Sequence, residues 1–191
     1  VILQSSINAL GSVYIAAQVG GRKLAEFFYI PGIALGTSAA TFSSQNFGAG
    51  ERARIAKGAR SGIFMYFCWW LVALVFVIFL APTAVKFITG SSNPEVIKNG
   101  VLYLRISIPM IPPMAILVIL RNILQGMRRP GMPLFCSCLE LIGKVIFALW
   151  LVPAFGYLAV CICEPVTWVI CCVVIAVAVF AIRGEFTNRH I

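Results

Sequence analysis

Four full charges stand inside long apolar runs of the sequence: Arg121, Glu140, Lys144 and Glu164. Glu140 and Lys144 are spaced i,i+4, so on a helix they share one face. The four sum to zero. Carboxylates facing cations in a medium without water can form a closed set of ion pairs that fixes helices to one another. They can also form a switch in which a proton or a cation displaces one partner. A glutamate beside a lysine holds its charge tightly, so a switch needs the pair to be broken or desolvated in one state.

Uncharged polar groups follow a similar pattern. Gln4, Asn8, Gly11 and Ser12 recur at i, i+4 and i+7/i+8 near the start of the chain. Thr37, Thr41, Ser44 and Gln45 recur in the same way further on. On a helix each set forms a stripe, suited to a cavity wall or to hydrogen bonds between helices. Near the second stripe, Pro31 is followed by Gly32, Gly36 and Ala40 at four-residue intervals, a face on which a neighbouring helix can approach closely. The segment IPMIPPM, residues 108–114, places Pro109, Pro112 and Pro113 within five positions. It cannot be regular helix, and transporters use such breaks for binding and gating.

The elements that must position these residues are membrane helices. The chain has 191 residues, 61% of them hydrophobic and only 11% charged, where a soluble domain carries about 25% charged residues. Six apolar stretches approach the ~20 residues that cross a bilayer: 1–19, 24–47, 62–85, 101–127, 132–152 and 157–182. Turn residues separate them, including Gly20-Gly21, Gly48 to Gly50, and Gly131. The expectation is an all-α, polytopic protein with six transmembrane helices in one bundle over 1–183 and a cytoplasmic tail over 184–191. The chain opens without Met on an apolar run already under way, which suggests a fragment whose upstream part is missing.

Lys and Arg set the orientation. The connections after spans two, four and six hold eight cations, Arg52, Arg54, Lys57, Arg60, Arg128, Arg129, Arg183 and Arg189. The other set holds four, Arg22, Lys23, Lys86 and Lys98. The richer side is expected to be cytoplasmic, with both ends of the segment on it. With a ~1.5 Å rise per residue, Arg121 then lies level with Glu140, and Lys144 with Glu164. The net charge of +9 reads as topology and attraction to membrane lipid. The scattered cations do not suit nucleic acid. The single histidine, His190, and seven cysteines inside apolar runs argue against a metal site and against His-based catalysis. A Ser–Lys enzyme through Lys144 finds no nucleophile among its neighbours on the same helix, so no enzymatic role is expected.

The run QNFGAG at Gln45, Asn46, Phe47, Gly48, Ala49 and Gly50, followed by Glu51-Arg52-Ala53, resembles a signature of the multidrug and toxic compound extrusion (MATE) family. The resemblance continues in PGIALG from Pro31 to Gly36, RNILQG from Arg121 to Gly126, ELIGK from Glu140 to Lys144, and EPVTW from Glu164 to Trp168. It covers nearly the whole chain and implies the carboxy-terminal six-helix half of a two-bundle transporter, whose amino-terminal half is the missing partner. It further implies a small-molecule substrate, an organic cation or amphipathic compound. Export would proceed by alternating access in exchange for protons or sodium, with no other cofactor, in the plasma (bacterial inner) membrane. Gln45, Asn46, Gly48 and Gly50 would then form a turn ending a helix that borders the central cavity. One branch of the family carries sodium-binding acids in the first and fourth helices of this half. Here the first has none, and Glu95 stands only at the outer end of the fourth. The alternatives are a lipid-linked saccharide flippase of the same broad superfamily and a passive membrane scaffold subunit.

Overall fold

The structure, a computed structural model, describes residues 2–182 and 184, without the side chains of Ile2 and Leu3. Its described residues are helical throughout, with no strand. A short helix α1 (Ile2–Leu10) leads through Gly11 into a long helix α2 (Ser12–Gly48). Helix α3 (Arg52–Thr89) returns beside it. Helix α4 (Pro94–Ser107), a 3-10 turn (Ile108–Met110) and helix α5 (Ile111–Gly126) together make the next crossing. Helix α6 (Gly131–Ile146), a π turn (Phe147–Leu151) and helix α7 (Val152–Phe155) make another, and helix α8 (Tyr157–Ala181) is the last.

Among the described residues, four helical segments are long and apolar enough to cross a membrane: Arg52–Thr89, Pro94–Gly126, Gly131–Phe155 and Tyr157–Ala181. Their outer faces carry exposed apolar side chains, such as Phe64, Phe79 and Phe87 on α3, Leu141 and Trp150 along the α6 crossing, and Val173 and Val177 on α8. Such a surface suits hydrocarbon, not water.

The expected six-span division is corrected at its start. Gly20 and Gly21 do not form a turn; both lie inside α2. A side chain on Gly20 would strike Thr89, and one on Gly21 would meet Tyr103 and the Gly100 carbonyl. The pair exists for close helix approach, which lipid-embedded helices achieve with small residues. The real break is Gly11, with φ 110°, a conformation that L side chains rarely adopt. Gln4 and Asn8 therefore lie on α1 and Ser12 on α2, and the expected single stripe does not exist. At 37 residues, α2 is amply long but more polar than the four apolar crossings. The basic run also belongs to a helix, since α3 starts at Arg52, ten residues before its expected start. The tail expected over 184–191 lies outside the described residues apart from Gly184, as does Arg183.

Helix α2 is the hub, packed on α3, α4 and α5. Its small-residue face explains how. Gly32 receives the Tyr66 ring, Gly36 receives Val118 and Asn122, and Gly126 of α5 lies against the Ala40 backbone carbonyl. On the far side α8 packs on α5, α6 and α4.

The proline cluster bends the fourth crossing without exposing its backbone. Pro112 has no N–H to give the Ile108 carbonyl. That carbonyl instead accepts from the Ile111 N–H and from the Trp70 indole at 3.0 Å. Trp69 donates to the Phe28 carbonyl at 3.0 Å, near the kink that Pro31 introduces in α2. In the π turn, the Ala148 carbonyl accepts from the Ser6 hydroxyl at 3.1 Å, which docks α1 there. Each bond satisfies a carbonyl that hydrocarbon cannot serve.

Gly126→Ala is expected to destabilise the full-length protein by about 1–3 kcal/mol, because the obstructing atom is backbone. Gly48→Ala, with nothing within 4 Å of a built Cβ, is expected to be neutral. Unfolding midpoints of the two variants in detergent check the contrast.

Candidate functional site

The four charges of the apolar runs separate into two unlike pairs. Arg121 on α5 meets Glu140 on α6, with Nη1 to Oε1 3.3 Å and each side chain about a quarter exposed. The other terminal nitrogen of Arg121 donates to the Ser137 hydroxyl, one helical turn before Glu140. Two bonds from one guanidinium to one helix face form a bracket between α5 and α6. Such a pair orients helices more than it stabilises them.

Lys144 and Glu164 are also brought together, but not into an ion pair. Both line one cavity of about 510 Å³, shared with Gln4, Ile7, Gln18, Arg22, Tyr103 and Val160. Five elements contribute to it: α1, α2, α4, α6 and α8. The Tyr103 hydroxyl donates to Glu164 Oε2 at 3.3 Å. The Tyr157 hydroxyl donates to Gln18 Oε1 at 3.2 Å, and Gln4 Nε2 donates to Asn8 Oδ1 at 3.1 Å. Arg22 Nε is engaged by Glu26 at 2.9 Å. The buried hydroxyls of Tyr29 and Ser107 have no hydrogen-bond partner among the described residues. Unpaired hydroxyls of this kind ordinarily hold an internal water.

Arg22, Gln18 and Tyr103 are the cavity residues that sequence reasoning missed. Arg22 was expected in a connection and instead lies about 15 Å along α2 from Ser12. The i,i+4 spacings Gln18–Arg22–Glu26 were the available signal, hidden by reading Gly20-Gly21 as a turn.

The remaining candidates fall elsewhere. Thr37 and Thr41 are exposed on α2, and their hydroxyls donate back to the Ile33 and Thr37 carbonyls at 3.0 and 3.2 Å. Ser38, Ser44 and Gln45 extend this exposed polar face. Ser12 is exposed at the start of α2. Pro109 is exposed and lines an apolar groove with Met110, Pro165 and Val169; Pro112 lies half-buried behind it. Neither proline reaches the polar cavity.

The turn after α2 has a defined construction. Asn46 is buried and donates through Nδ2 to the Phe42 carbonyl at 2.7 Å, while its own carbonyl accepts from the Glu51 N–H at 2.8 Å. Gly50 supplies the left-handed residue, φ 76°. Gly48 is the last residue of the helix and has no such role. Arg52 then lies over the Phe47 ring, 5.3 Å from its centroid. No group of three His, Cys, Asp or Glu side chains able to hold a metal occurs among the described residues.

A family model, MatE, matches residues 1–150. The chain belongs to the MatE family. It is accordingly a multi-pass membrane transporter, and the match takes in α1 to α6, including Arg121, Glu140 and Lys144, though not Glu164. The curated proteins contain no match to this MatE chain.

A double-mutant cycle tests the bracket. Arg121→Gln and Glu140→Gln should each lower the unfolding midpoint of the full-length protein. The double variant should be no worse than the poorer single one, because each single change strands a partly buried charge. Additive losses would show that the two side chains act independently.

Proposed function

We propose that this chain is the carboxy-terminal half of a secondary antiporter. It would export cationic or amphipathic compounds by alternating access, in exchange for protons or sodium ions. The family membership carries this reading. The exposed face of α2 supports it. Thr37, Ser38, Thr41, Ser44 and Gln45 form a polar stripe on a bundle whose other outer faces are apolar. Such a stripe is costly against lipid and natural against a water-filled cleft. A second six-helix bundle would supply the opposite wall, and rocking of the two bundles would alternate access. The plasma membrane is the location that the family resemblance implies, and the cation distribution favours the cytoplasmic side for the Gly48–Arg52 turn.

Within this half, Glu164 is the carboxylate suited to a switch. Glu140 is held by Arg121, whereas Glu164 has a tyrosine hydroxyl as its bonded partner and a cavity beside it. Arg121 and Glu140 would then serve as scaffold.

The experiment uses the full-length protein in sealed vesicles carrying a proton or a sodium gradient. Adding an organic cation should dissipate one of the two. Glu164→Gln, at equal membrane abundance, should slow that exchange by about tenfold or more, equivalent to about 1.4 kcal/mol or more in the barrier. Gradients that ignore the organic cation would overturn the antiport reading. The two cations lining the polar cavity favour a second reading, a flippase for a phosphate-bearing lipid-linked saccharide. It predicts movement of such a lipid between leaflets with both gradients unaffected by drug.

A further inference from the structure

The polar cavity has the wrong chemistry for a metal cation. Hard cations such as sodium need several oxygen ligands. Here the lining offers one carboxylate, Glu164, already bonded by Tyr103, the amide oxygens of Gln4 and Gln18, the latter taken by Tyr157, and two cations, Lys144 and Arg22. A sodium ion in this space would face both cations across a medium that screens poorly.

Its spare capacity is for donating hydrogen bonds. Lys144 is half-buried, has three N–H donors, and makes no ion pair with Glu164 or any other carboxylate among the described residues. Gln18 is 7% exposed. Its Oε1 is taken by Tyr157, which leaves its NH2 without a protein acceptor. Arg22 gives Nε to Glu26 and keeps its terminal nitrogens. An ammonium, an amide NH2 and part of a guanidinium thus line one partly open space in which Glu164 is the one carboxylate.

We infer that this cavity binds an anion, either a small free anion or the carboxylate of an amphipathic substrate, with Lys144 as its main counter-charge. The anion occupies the space between Lys144, Gln18 and Arg22, and Glu164, lining the same cavity, opposes it by like-charge repulsion. A volume of about 510 Å³ admits a hydrated halide or the acidic end of a drug-sized molecule. Identifying the anion with a substrate group rests on the transport reading above; the existence of the site does not.

The test is chloride binding to the full-length protein in detergent, read as 35Cl line broadening, which requires no transport. Broadening that acetate reverses is expected for the wild type. Lys144→Met should reduce it at least tenfold. Glu164→Gln should increase chloride affinity several-fold by removing a like charge from the cavity, a gain that a merely damaged fold would not show. Rhodamine B and its ethyl ester share a cation and differ in one carboxylate. Displacement of chloride by the acid alone assigns the site to substrate. Displacement by neither dye, with the Lys144 and Glu164 effects intact, assigns it to a free anion. Broadening that is absent in the wild type, or unchanged in both variants, overturns the site. The antiport reading is tested separately by the vesicle gradients, so either can fail alone.

Discussion

Close backbone approach along α2 is the constraint on which the rest depends. In hydrocarbon there is no hydrophobic gain from bringing two apolar helices together, so contact must come from tight packing and hydrogen bonds. Helix α2 meets that demand with glycines, Gly20 and Gly32 facing α3, Gly21 facing α4 and Gly36 facing α5. Gly126 of α5 completes the set against Ala40. With that face buried, the opposite one, running through Thr37 and Thr41, is left outward. The polar surface and the packing surface of α2 are two sides of one placement.

The same medium explains the tryptophans and prolines. Each proline inside a helix leaves a carbonyl without its usual donor, and lipid offers none in return. Trp70 serves the Ile108 carbonyl, which Pro112 leaves, and Trp69 the Phe28 carbonyl, next to the Phe27 carbonyl that Pro31 leaves. Both indoles come from α3, whose outer face is otherwise lipid-like. This lets the α4–α5 crossing pass through a 3-10 turn at Ile108–Met110 while remaining one membrane-deep unit. The turn stands between Tyr103, bonded to Glu164, and Arg121, paired with Glu140.

The two charged pairs then acquire different characters from their surroundings. Arg121 has two acceptors on α6, Glu140 and Ser137, and little freedom to leave them. Lys144 is one turn further along the same helix, yet its side chain opens onto a cavity. The difference lies in what stands opposite: α5 closes against α6 at Glu140, while α1, α2 and α8 diverge around Lys144. A transporter that changes shape needs both kinds of site, one that holds elements together and one that can change occupant.

Composition and pattern by themselves determined that the chain is all-helical and lies in a membrane, because 61% apolar residues leave no polar shell for a soluble core. They also determined the break at Pro109–Pro113, since missing N–H groups are a local property, and the turn after α2. The QNFGAG, RNILQG and ELIGK segments pointed to the family that the matched model shows. Equal depth along helices was enough to bring Arg121 to Glu140. Only the tertiary structure decided that Gly20-Gly21 is a helix contact and Gly11 the break, because a glycine serves both purposes and its neighbours choose between them. It alone placed Arg22, Gln18 and Tyr103 around Lys144 and Glu164. Depth can be counted along a sequence, but whether two side chains at one depth touch, or face each other across an open space, depends on how far apart the helices stand.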